Sequence, residues 1–132
     1  MDIYIYAVFT PILALLDDVT ELDFEKIIPL AIDRGVQAHR DNKEMHNTLH
    51  SLSTQDELVL ERFSELEQEV TQTLSKKLVA LGYPSLHLYE KVHTAISFVQ
   101  SFAHEEVYDH HDYIDYDEMR RLVTVALIDL FR

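Results

Sequence analysis

Histidine is the side chain here with the most chemical reach, and there are eight of them among 132 residues. His46 and His50 stand four apart, which places both on one side of a helix, and His39 lies close upstream. Three imidazoles brought together suit zinc. No carboxylate at a fixed offset completes the set, so hydrogen-bonding, partly buried histidines are the plainer reading. Glu90 and His93 form a Glu-x-x-His pair of the kind that di-iron bundles use twice, together with two further glutamates. The second pair is missing. His104-Glu105 opens like the His-Glu-x-x-His zinc-protease motif, but Tyr108 stands where the second histidine belongs.

Between Glu105 and Glu118 the acids Glu105, Glu106, Asp109, Asp112, Asp115, Asp117 and Glu118 alternate with His110, His111, Tyr108, Tyr113 and Tyr116, with no Lys or Arg among them. A solvated, acidic inter-helix loop explains such a stretch, and a cation site is the sharper alternative. The chain has two glycines, too few for a phosphate loop, a dinucleotide fingerprint or a nucleophile elbow. No cysteine is present, which removes disulfides, thiolate catalysis and Cys-ligated zinc. No catalytic residue, metal or cofactor is predicted, and the chain is not expected to be an enzyme.

The elements that would position these groups read as helices throughout. Gly and Pro are scarce while Leu, Glu, Lys, Gln and Ala are plentiful. Residues 3–16 carry no charge but are too short to span a bilayer, and with Asp2 in front they lack the basic start of a signal peptide. They read as a buried helix with Pro11 inside it. Asp23 caps a helix over 23–40, whose Gly35 predicts close helix packing. A short helix follows over 43–52. The Thr54/Glu57 capping box opens a long helix over 54–81, ended by Gly82 and Pro84. Ser85 is the expected cap of a helix over 86–108, and Asp115 with Glu118 opens the last one, to 131. The expected fold is therefore all-α, a bundle of about six helices in one domain over 1–132. The last two helices are apolar over an arc wide enough to need two partners, the chain's own core and a second copy of the chain.

Formal net charge is −13. A surface this acidic repels phosphate and anionic membranes, so no direct binding of nucleic acid or membrane is expected of this chain. Absence of Cys suits the cytoplasm.

Three stretches carry a family resemblance. Val36-Gln37-Ala38-His39, followed by Glu44-Met45-His46-Asn47-Thr48-Leu49, is the first. Residues 67–82, closing with Leu78-Val79-Ala80-Leu81-Gly82, are the second. Residues 92–131, with Val99, His104, Glu105 and Val107 and the ending from Asp115 to Phe131, are the third. Together they resemble the C-terminal effector-binding and dimerisation domain of TetR-type transcriptional regulators, over about residues 24–131. Members of that family begin with a basic helix-turn-helix domain, and residues 1–132 contain none. Residues 1–18 would correspond to a remnant of the helix that links the DNA-reading head to the core.

The resemblance implies a homodimer in which the last two helices pair with those of a second subunit as a four-helix bundle. It also implies a small, largely apolar effector held between the helices at 23–40, 54–81 and 86–108, which controls DNA binding allosterically. The residues expected to line the effector pocket are His39, Phe63, Leu66, Val70, Phe98 and Phe102. Those expected at the dimer interface are Ile96, Val99, Ala103, Met119, Leu122, Val123, Ala126, Leu127 and Leu130. A stand-alone helical protein–protein interaction module is the competing reading, with a metal-binding helical bundle third.

Overall fold

The computed structural model describes residues 10–43 and 57–132. Among them the only regular structure is helical: a 3-10 turn at Ala14–Leu16, then α1 (Phe24–Asp41), α2 (Glu57–Ala80), α3 (Leu88–Val107) and α4 (Tyr116–Leu130). The expected helix over 43–52, with His46 and His50, and the Thr54 cap lie outside the described residues.

The helix ends follow local chemistry. Asp23 has extended backbone, and its carboxylate accepts from the Glu25 amide. Asp115 accepts from the amides of Asp117 and Glu118 in the same way. Each carboxylate satisfies N–H groups that the first helical turn leaves without an intrahelical partner, and its charge suits the positive end of the helix dipole. Glu118 does not close a capping box; its carboxylate accepts from Arg121 instead. At the other end of α2, Gly82 takes a left-handed φ of 101°, and the Tyr83 amide donates back to the Leu78 carbonyl at 3.0 Å. That bond closes the helix in the manner of a Schellman motif, which a residue with a Cβ would strain.

One expected cap is corrected. α3 begins at Leu88, not 86, and its preceding residue is His87 in a left-handed conformation, making no side-chain cap. Ser85 instead accepts from Leu88 through its backbone carbonyl, closing a turn. α1 continues through Pro29, whose missing N–H forfeits one backbone bond.

α3 is the central helix: it packs chiefly on α1, then on α2 and α4, while α4 also leans on α1. The approach of α1 to α3 is close because of Gly35, where an added Cβ would stand 2.6 Å from Val99 Cγ1. The core comprises Ile27, Ile28, Ile32 and Val36 of α1, Leu66, Val70, Leu74 and Leu78 of α2, Val92, Ile96, Val99 and Phe102 of α3, and Leu127 with Phe131 at the C-terminal end.

Two polar-edged clusters hold the ends of this bundle. At one end Phe24 stacks on Phe131 at 4.7 Å, with Tyr83 edge-on to both. The Tyr83 hydroxyl donates to the Phe131 carbonyl at 2.8 Å. At the other end Arg120 of α4 pairs with Asp33 of α1 and with Glu106 of α3, its guanidinium 5.6 Å from the centre of the Phe102 ring. One residue thus ties three helices.

The segment ahead of α1 folds back over the bundle. Ile12, Leu15 and Leu16 are buried. Arg34 donates to the Pro11 carbonyl at 3.3 Å, and Lys77 donates to the Leu13 carbonyl at 3.0 Å and pairs with Asp17. Two long basic side chains, one from α1 and one from α2, therefore hold the backbone just ahead of the 3-10 turn.

Candidate functional site

Where that segment meets the bundle it leaves an apolar cavity of about 60 Å³. Ile12, Leu15 and Leu16 form one wall. Phe24, Ile27, Ile28 and Ala31 of α1 and Leu74 and Leu78 of α2 form two more, and Val92, Ala95, Ile96, Val99 and Gln100 of α3 with Leu127 and Phe131 complete it. Gln100 is the one polar residue of this lining. The cavity is lined almost wholly by hydrocarbon, which offers a water no hydrogen bonds and an apolar group good contacts.

Beside it lies an open cleft bordered by His39, Gln100, Ser101, His104, Glu105, Asp109 and His111. Gln100 borders both spaces. His39 is buried, and its Nδ1 stands 2.8 Å from the Gly35 carbonyl. A carbonyl only accepts, so Nδ1 carries a hydrogen. Burial lowers the His39 pKa below the usual imidazole range, and the neighbouring His104 adds to this against the opposing hydrogen bond. His39 is thus neutral at pH 7.

The Tyr108 hydroxyl donates to the His39 carbonyl at 2.5 Å, and Asn42 donates to the Ala38 carbonyl at 2.8 Å. Both satisfy carbonyls at the end of α1 that have no partner within the helix. Burial pushes the Tyr108 hydroxyl up to about 12. His104 Nε2 lies 3.0 Å from Asp109, and His111 Nε2 lies 3.9 Å from Glu105. Among the described residues no group of three or more His, Asp or Glu side chains stands close enough to hold a metal ion.

The residues expected to line an effector pocket divide sharply. Leu66, Val70 and Phe102 are fully buried core, and Phe63 packs at its edge. His39 borders the cleft. Phe98 is 47% exposed on the surface of α3. None of the six borders the apolar cavity, whose walls come from the next turns along α2 and α3 and from the segment ahead of α1. The helical period alone could not separate Phe98 from Phe102, which lie one turn apart on the same side. Phe102 is buried in the core with Arg120 of α4 over its ring.

The residues expected at a dimer interface divide as well. Ile96, Val99, Ala103 and Leu127 are buried in the chain's own core, and Ile96, Val99 and Leu127 line the cavity. They carry the wide apolar arcs inward. Leu122 is 55% exposed, Ala126 is exposed, and Met119, Val123 and Leu130 are half-buried. Val125, at 48%, joins them. Arg120 meets Phe102 and Glu106, whereas Leu127 and Phe131 reach the level of Ile96 and Val92, so α4 runs antiparallel to α3. Leu122, Val125 and Ala126 accordingly fall at the same level along the bundle as Phe98 of α3. These exposed apolar residues of α3 and α4 were legible in the sequence only as excess apolar residues.

Set against protein-family models, curated proteins and solved structures, the chain matches none. Among the described residues no helix is long and apolar enough to cross a membrane.

Proposed function

We propose that this chain is the ligand-binding and dimerisation part of a TetR-type transcriptional regulator, which binds a small apolar effector and transmits its presence to a DNA-reading domain. The observation that carries the reading is the position of the cavity. It is not enclosed by the long helices alone; Ile12, Leu15 and Leu16, on the segment ahead of α1, supply a wall. At about 60 Å³ the cavity is far below the roughly 300 Å³ at which small-molecule sites begin. An effector must therefore open it. The wall we expect to yield is the segment ahead of α1, which two long basic side chains tie to the bundle. An effector that fits only the opened form shifts the equilibrium toward it by its difference in affinity for the two forms.

The exposed strip of Phe98, Leu122, Val125 and Ala126 supports the second half of the reading. A closed dimer built on one strip buries the same patch of each copy, and exposed hydrocarbon concentrated on adjacent helices is what such an interface requires. An interaction module without an effector is the second reading. The small size of the cavity and the further exposed residues Val79, Leu86 and Tyr89, at the α2–α3 end, favour it.

Native mass spectrometry of the purified chain, paired with its denatured mass, separates the two. A dimer carrying a small organic adduct supports the regulator reading. A monomer at micromolar concentration refutes the dimerisation half, and a dimer that takes up no organic molecule from a broad apolar set favours the interaction module.

A further inference from the structure

The apolar cavity and the polar cleft share Gln100, and the cleft has a definite charge character. Its only formal charges apart from the histidines are the carboxylates of Glu105 and Asp109, and no Lys or Arg borders it. His39 is neutral, and the imidazoles of His104 and His111 already face Asp109 and Glu105. The whole chain adds a net charge of −13. A carboxylate in this cleft would lie against two others with no fixed cation to offset them, in a field that repels it. A protonated amine would meet carboxylate oxygens and the amide oxygen of Gln100, all acceptors for its N–H groups. Beyond Gln100 lies a space that is hydrocarbon on every other side.

We infer that the ligand is an amphipathic amine, whose apolar end enters the cavity between Ile12, Ile96 and Val99 while its ammonium head stays in the cleft at Gln100, Glu105 and Asp109. The inference rests on the effector-binding reading and narrows it to one chemical class. It also explains why a polar residue stands in an otherwise apolar wall: Gln100 is the hinge between the two environments, offering the head a hydrogen bond at the point where the tail leaves water. The tail's terminal carbons fill the existing space, and a longer or branched tail presses on Leu15 and Leu16 and displaces the segment that carries them.

The test uses the full chain with isotope-labelled Ile and Val methyl groups, titrated at neutral pH with n-hexylamine, n-hexanol and hexanoate. The expected result is that the methyl resonances of Ile12, Ile96 and Val99 move with the amine at concentrations about tenfold lower than with hexanoate, a difference in the range of a partly exposed ion pair. Glu105→Gln combined with Asp109→Asn should abolish that preference while leaving hexanol unchanged. Gln100→Leu, which keeps a side chain of similar size, should weaken both the amine and the alcohol, since each head group loses its hydrogen bond to the amide. Equal binding of all three compounds at the cavity methyls would overturn the amine assignment and leave the effector-binding reading standing. No movement of those methyls with any of the three would overturn both.

Discussion

Replacing Gly35 with alanine would place a methyl carbon 2.6 Å from Val99 Cγ1, where carbon atoms in contact normally stand at about 3.5–4.0 Å. Two effects oppose each other. Alanine in the interior of α1 is worth about 1 kcal/mol over glycine through backbone entropy. Overpacking a filled core costs about 1–3 kcal/mol. The second should win because Val99 cannot readily step aside. It is β-branched, which restricts its χ1 on a helix, and it is only 5% exposed. The helices must part instead, and among the described residues α1 with α3 is the most extensive helix pair.

A net loss of up to about 2 kcal/mol is expected, read as a lower urea midpoint with unchanged slope at fixed protein concentration. Val99→Ala alone should cost roughly 2 kcal/mol in lost burial and empty space. In the double variant the new methyl fills part of that space, so the double should be at least about 1 kcal/mol more stable than the sum of the singles predicts. If Gly35→Ala were instead more stable than the wild type, and additive with Val99→Ala, the close approach of α1 to α3 through this pair would be refuted.

Three further outcomes follow from the burial pattern and the buried polar groups. Leu122→Glu should yield a folded monomer by sedimentation equilibrium, whereas Leu127→Glu, with its side chain 1% exposed, should not fold; a dimeric Leu122→Glu would remove that position from the interface. His39 has a folded pKa below its unfolded value, so the folded state binds fewer protons. Its contribution to stability is present above the unfolded value of 6.5 and is lost as pH falls through the folded value. His39→Asn should therefore show a shallower loss of stability on acidification below that value, and an unchanged acid slope would refute the buried, neutral imidazole. Tyr108 has the opposite sign: its folded pKa of about 12 lies above the ordinary 10.0, so its contribution is intact below pH 10 and is lost as pH rises through 12. Tyr108→Phe should cost about 1 kcal/mol at neutral pH and remove that alkaline loss, and chemical denaturation across pH 9 to 12 is the check.

What could be read from the sequence were features settled within a few residues of one another. Asp23 and Asp115 cap helices because their carboxylates reach amides two or three residues ahead. Gly82 ends α2 because the closing bond spans only Leu78 to Tyr83. Gly35 announced a close approach, since a mid-helix glycine costs stability unless space requires it. The all-helical class likewise follows from composition and apolar spacing. Where a local cap was misjudged, at Ser85, the cause was again local: His87 takes the left-handed turn and delays the start of α3.

The side of each wide apolar helix that faces inward was decided by residues far away in the chain. Phe98 and Phe102 are equivalent by spacing, and Arg120 of α4 distinguishes them by covering one. Ile96, Val99 and Leu127 suited an interface equally well by type, but α1 and the segment ahead of it cover them. The cavity exists only because Ile12, Leu15 and Leu16 return across more than sixty residues to meet Lys77. Capping and helical periodicity are properties of a local hydrogen-bond pattern, so the sequence by itself determines them. A cavity, a cleft and an exposed strip depend on which surfaces of separate helices meet, and that is set by mutual packing that no single segment encodes.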